Sequence, residues 1–322
     1  MAAGRSVCWG HVPRALCVAA VFCGGLAHSA TQATEPGAKP ADTSPRLELR
    51  VQQLRPGLNV IFGAGGNVTV WSGADGVVLV DSGLASATNE LMNAVARVAP
   101  GPLRFVVNTH GHADHTGANE AAARKGAVIV GHESLREPVD FAAEPGGRES
   151  GTTSGAARPV VTTADSLALH LNGDRLGVYH VAEAHTASDL VVRWSDADVV
   201  CLGDIYWNGQ YPFIDVDAGG SLAGMVAAVE AALARSTART IVVPGHGAVS
   251  NRAELAAYRD MLVAIGRKVR EAIEQGQGVE EILAARPTAE FDARFARPGA
   301  TVTPDEFVRA VFTDLSRPRA SR

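Results

Sequence analysis

From residue 46 onward, apolar side chains recur in two rhythms. In LELRV, NVIFGAGG, NVTVWSGADG and VVLVDSG they come in short alternating runs cut off by glycines. A period of two between turn-forming residues marks strands, and the close spacing predicts antiparallel neighbours joined by tight turns. The second rhythm begins at ATNELMNAVARVA (Ala87 to Ala99), where Leu91, Val95 and Val98 share one side of a predicted helix. A strand (LRFVVNT), a helix through NEAAARKG and a strand (AVIVGHE) follow.

Residues 144–159, EPGGRESGTTSGAARP, interrupt the pattern and predict a mobile loop that can act as a lid. Four more strands are expected at SLALHL, RLGVYHV, DLVVRWS and DVVCLGD, then a helix from about Leu222 to Ala234 and a strand at TIVVPGHG. The last third is helical. Leu255, Tyr258, Leu262, Ile265 and Val269 recur at steps of three and four, and TPDE at Thr303 to Glu306 is a capping box opening a final helix. Strands followed by helix, twice over, predict two sheets between helices.

The N-terminus follows neither rhythm. Arg5 and Arg14 precede or border an apolar run, ALCVAAVFCGGLA (Ala15 to Ala27), which is too short to span a bilayer, and small residues follow it. Residues 1–30 therefore read as a cleaved signal peptide, which predicts a periplasmic or secreted protein without a membrane span after cleavage. Residues 31–45, small, polar and Pro-containing, predict a flexible lead-in.

Removal of the leader leaves 27 basic against 34 acidic residues and no basic run, which argues against a nucleic-acid partner. Of the four cysteines, Cys8, Cys17 and Cys23 fall in the leader, so Cys201 alone remains and an internal disulfide is excluded. With 46% hydrophobic and 20% charged residues, the 322-residue chain has the composition of a globular protein.

Candidate chemistry is concentrated in NTHGHADHTG (Asn108 to Gly117), which holds three of the ten histidines beside an aspartate. Imidazoles and carboxylates are costly to bury unless paired, and at this spacing in a loop they suit a first-row metal, most often Zn²⁺. Further ligand types close other apolar runs: His185 in EAHTASD, Asp204 in CLGDIYW and His246 in VVPGHGA. His132 and His170 read as packing or surface residues. His180 competes with His185 but lacks the Thr and Asp that follow the latter.

Taken in order over roughly residues 46–250, THGHADH, AHT, GD and PGHG resemble the metallo-β-lactamase-fold metallohydrolase superfamily, in particular its glyoxalase II-like binuclear zinc branch. The resemblance implies an α/β fold, a four-layer αβ/βα sandwich, with residues 251–322 as extra C-terminal helices packed on the domain. It implies that His110, His112 and His185 hold one metal, that Asp114, His115 and His246 hold a second, and that Asp204 bridges them. Asp81 would support the metal loop from behind. Two Zn²⁺ ions, or iron or manganese, would activate a hydroxide that Asp114 orients for attack on the carbonyl of an ester, lactone, thioester or amide, β-lactams included.

Gly111 stands where the glyoxalase II pattern has a further histidine. Two other readings use the same ligands: an iron-dependent persulfide-dioxygenase-like oxidoreductase, and a non-catalytic, metal-stabilised periplasmic binding protein. The expected partner is a small-molecule substrate, with Tyr206, Trp207, Tyr211 and Phe213 walling an apolar pocket. No Lys or Arg near the motifs offers an anchor for a substrate carboxylate.

Overall fold

The computed structural model describes residues 47–137 and 157–318. The expected leader and lead-in, and residues 144–156 of the expected loop, lie outside the described residues. Seven strands build the first sheet in chain order: β1 (Arg50–Arg55), β2 (Leu58–Phe62), β3 (Val68–Gly73), β4 (Gly76–Val80), β5 (Leu103–Val107), β6 (Val128–His132) and β7 (Val161–Thr163). β1 to β4 pair antiparallel, as the tight turns require. From β4 to β7 the pairing is parallel, and α1 (Thr88–Val98) joins β4 to β5 as a crossover.

The second sheet contains β8 (Ser166–Leu171), β9 (Asp174–His180), β10 (Leu190–Trp194), β11 (Val199–Cys201), β12 (Ile241–Val243) and β13 (Ser250–Asn251). Its spatial order is β13-β12-β11-β10-β9-β8. β11 and β12 run parallel, joined across α4 (Leu222–Ala234).

Side-chain parity explains the layering. In β4, Val77 and Leu79 point to one face and pack with Leu91 and Val95 of α1. Val78 and Val80 point to the other face, into the space between the sheets. β11 and β12 repeat this. Cys201 and Val243 face the inter-sheet core, where Trp71 and Trp194 meet edge-on at 6.2 Å. Val200 and Val242 face outward, under the helices. Strands buried on both faces need no polar alternation, which is why VVLV and IVV read as continuous apolar runs.

The outermost layer is α4 with α5 (Arg252–Glu274) and α8 (Pro304–Ser316). Leu255, Tyr258, Leu262, Ile265 and Val269 of α5 are all fully buried against Met225 and Val229 of α4 and Phe307 and Val311 of α8. The expected capping box is formed: Glu306 N donates to Thr303 Oγ1, and Thr303 N donates to the Glu306 carboxylate at 2.7 Å. The order helix, sheet, sheet, helix is the four-layer sandwich, with three apolar cores filling its three gaps. Among the described residues no helix is long and apolar enough to cross a membrane. Sequence pattern did not anticipate β7 and β13, of three and two residues, because runs so short carry no period.

Candidate metal centre

β5 ends at Val107, and the chain enters the histidine loop through Asn108, which is completely buried. The Asn108 amide donates to the His115 carbonyl at 3.1 Å, and Asn119 donates back to Asn108 Oδ1 at 2.8 Å. A single helical turn, α2 (Ala113–Thr116), carries Asp114 and His115 inward. Asp81, just past β4, has a φ of +64°, a left-handed conformation that Asp tolerates better than most residues. From there its carboxylate accepts from Thr109 N at 2.7 Å, Thr109 Oγ1 at 2.8 Å and His115 Nδ1 at 2.8 Å. The last bond fixes which ring nitrogen of His115 points into the centre.

The other side chains arrive from the second sheet. His185 lies in the β9–β10 loop, where Asp189 accepts from the backbone N–H of His185 at 2.6 Å and of Thr186 at 2.9 Å. Asp204 follows β11 and His246 follows β12. Glycine is required where two backbones press on this cluster. A Cβ at Gly66 would lie 2.3 Å from the His115 ring, and one at Gly245 would lie 1.8 Å from Asp204 Oδ1.

Two trios result. His110, His112 and His185 each offer a nitrogen, as Asp114, His115 and His246 offer an oxygen and two nitrogens, and within each trio the ligand atoms lie within 4.8 Å of one another. His112 presents Nδ1, 2.9 Å from His185 Nε2, because its Nε2 is engaged by Asp215 Oδ2 at 2.9 Å. Asp204 stands between the trios. Its Oδ2 is 3.8 Å from His185 Nε2, 4.0 Å from His110 Nε2 and 3.2 Å from His246 Nε2, while its Oδ1 is 3.2 Å from His115 Nε2.

All seven residues are buried. Burial works against an ionised Asp204, but His246 and His115 outweigh it and hold the carboxyl well below its ordinary range. Asp114 behaves alike, burial being overcome by His115 and by a hydrogen bond from His246. Burial also opposes protonation of His246, yet Asp204 and Asp114 raise it to about 9. His110 is held well below its usual value by burial and then by His115, and His185 falls to about 4 through burial and His112.

His110 Nε2, His115 Nε2 and both Asp204 oxygens are buried without an aligned hydrogen bond among the described residues. Such groups are rarely left unsatisfied. A divalent cation fits this donor set of imidazoles and carboxylates and satisfies all four atoms.

The structure therefore brings together all seven residues that sequence singled out as ligands. It keeps His180 apart: its ring stacks on His132 at 4.0 Å and its Nε2 donates to the Ala187 carbonyl. His170 is exposed on β8. The expected aromatic wall needs correction. Tyr206 and Tyr211 are fully buried in the helical core, Tyr206 bonding Ser250 and Tyr211 stacking on Phe307 at 5.3 Å. Trp207 is also fully buried and packs its ring 4.2 Å from that of His246. Only Phe213 is half-exposed beside the centre, its ring about 6 Å from those of His112 and His185 at 6.1 and 5.9 Å. The reason is local. The loop leaving Asp204 must cover the ends of α5 and α8, and its aromatics serve that apolar surface. Asp215 was not identified from sequence; its one signal is an acid within the apolar stretch FIDV.

An α/β sandwich with a His/Asp cluster at one edge defines a class of metal-binding hydrolase folds. The sequence profile of the metallo-beta-lactamase superfamily matches residues 62–246, more than half of the chain, and the chain belongs to that superfamily. It is similar to a hydroxyacylglutathione hydrolase of Polaromonas sp., 28% identical over 170 residues, covering 52% of this chain and 57% of the relative. It is also similar to the human metallo-beta-lactamase domain-containing protein 1, 32% identical over 189 residues, covering 58% and 64%. The match thus spans less than two thirds of either relative. A metallo-beta-lactamase from Pontibacter korlensis shares the fold with a TM-score of 0.54 at 23% identity, covering 67% of this chain and 99% of that one.

Proposed function

We propose that the protein is an exported, binuclear metal-dependent hydrolase that cleaves a carbonyl compound: an ester, lactone, thioester or amide, with β-lactams among the candidates. The observation that carries this reading is the position of Asp204, whose carboxylate is within 4.0 Å of histidines from both trios. A carboxylate so placed suits a pair of cations better than one. Divalent ions at such a site supply Lewis acidity and make water acidic enough to attack near neutral pH.

The chain's own residues do the rest. His110, His112 and His185 would hold the first ion, Asp114, His115 and His246 the second, and Asp204 would bridge. Asp114, kept ionised by His115 and His246, orients the attacking water and accepts its proton. Asp81 and Asp215 lock the tautomers of His115 and His112. The likeness to a hydroxyacylglutathione hydrolase supports transfer of an acyl group to water. Zinc is the expected metal, and the N-terminal pattern supports export to the periplasm or beyond.

The test is a panel of chromogenic lactams, lactones, esters and thioesters presented to the zinc-loaded protein. At least one class should be turned over, and Asp114→Ala should lower its kcat/KM by about 10³-fold. Absence of turnover across the panel, or an Asp114→Ala variant with full activity, would remove the reading.

A further inference from the structure

We propose that the protein carries a second small-molecule site, separate from the metal centre, that takes an apolar monocarboxylate of about ten non-hydrogen atoms. The site is a cavity of about 240 Å³ between the outward face of the second sheet and α4. Its lining shares no residue with the metal cluster or with the loop 206–215. The cavity comes from a mismatch in side-chain size. β10 and β11 turn Val191 and Val200 toward the helix, and α4 answers with Ala228, Ala231 and Ala232, which are too short to close the gap. The larger residues of α4, Met225, Val229 and Leu233, pack into the helical core and do not line the cavity.

The polar end of the cavity sets the charge of its occupant. In β9, Gly177 lets the Tyr179 ring lie back along the strand, since a Cβ there would be 2.5 Å from the phenol oxygen. Arg175 Nη1 donates to that oxygen at 3.0 Å, and the ring so held forms one wall. Arg235, at the C-terminal end of α4, rests its guanidinium 5.3 Å from the ring centre. Arg193 also lines the cavity but is neutralised by Asp198 at 2.9 Å. The Arg235 side chain has no hydrogen bond or ion pair among the described residues, and a guanidinium so placed offers two parallel N–H groups to a carboxylate. Asp165 is the single acid of the lining, and it stands on the exposed rim against two guanidinium groups. Volume gives the length of the apolar part. An apolar cavity of about 150 Å³ holds benzene, so this one admits a molecule of the size of octanoate.

The full chain, zinc-loaded, is titrated by calorimetry with octanoate, octanol and octylamine. The wild type should bind octanoate about 10-fold more tightly than octanol at low salt, a hydrogen bond to a charged group being worth that much when partly screened. Octylamine should bind more weakly than octanoate, and added NaCl should erode the preference for the anion. Arg235→Ala should bring octanoate to the level of octanol, and Arg235→Lys should retain part of the difference. Ala231→Trp places a large ring at the cavity wall and should weaken octanoate and octanol alike. Both positions are exposed, and zinc content with the thermal midpoint checks that each variant is folded. Four results would overturn the assignment: no preference for octanoate in the wild type, tighter binding of octylamine, unchanged affinities in Ala231→Trp, or a preference that survives Arg235→Ala, which would put the carboxylate on the metal centre instead. The outcome does not depend on whether any ester is cleaved.

Discussion

His246 Nε2 and Asp204 Oδ2 face each other at 3.2 Å, both largely buried, so the protonation of one sets the charge of the other. Without a metal, imidazolium protons supply the positive charge that the buried carboxylates need. His246 is raised to about 9 on that account, and His115 is raised well above its usual value by Asp114, Asp204 and Asp81 despite burial. Metal ligation requires neutral imidazoles, so a cation must displace those protons. The sign follows: raising the pH removes the competitor, and apparent metal affinity should climb between pH 6 and about 9. Zinc titrations in buffers of different ionisation enthalpy should report proton release at pH 7. An affinity that is flat or falls over that interval would contradict this charge pattern.

At this scale the seven clustered residues were legible because each follows an apolar run and is of ligand type. Asp215 was not. Asp215 meets His112 across 103 positions, a separation that leaves no local pattern in a sequence.

The element that unites the centre is the loop 206–215. It touches His246 through Asn208, accepts from His185 Nδ1 at the Phe213 carbonyl at 2.9 Å, and engages His112 through Asp215. Three histidines on separate elements thus take their orientation from one segment. Asp215→Ala removes the bond that fixes His112 Nε2 and should weaken metal binding by about 10- to 100-fold, the usual cost of losing such a partner. Competition against a chromogenic chelator measures this, and an unchanged affinity would show that His112 is held by other means. The regular elements around the loop were readable from period alone, α5 above all, whose expected apolar positions are all buried. The loop was not, since its aromatics answer to helices that follow it in the chain, and only tertiary packing decides whether a tyrosine faces the substrate or the core.

For the molecule as a whole, three apolar cores separate four layers, and the helical layer is built largely from residues beyond the family match, which ends at residue 246. Phe307 is fully buried there and stacks on Tyr211. Phe307→Ala should destabilise the protein by about 3–5 kcal/mol, the range for removing a buried aromatic ring, as read from urea unfolding. A loss near zero would mean that the C-terminal helices pack independently of the sandwich. Fold class was accessible from the order of strands and helices, because parity and period are properties of the chain itself.

The most direct measurement is the number of metal ions per chain, determined by elemental analysis of the purified, zinc-loaded protein after exhaustive dialysis. Two ions are expected in the wild type, and one or fewer in Asp204→Ala. A single ion in the wild type, or two retained without Asp204, would contradict a bridged pair held by the seven clustered side chains.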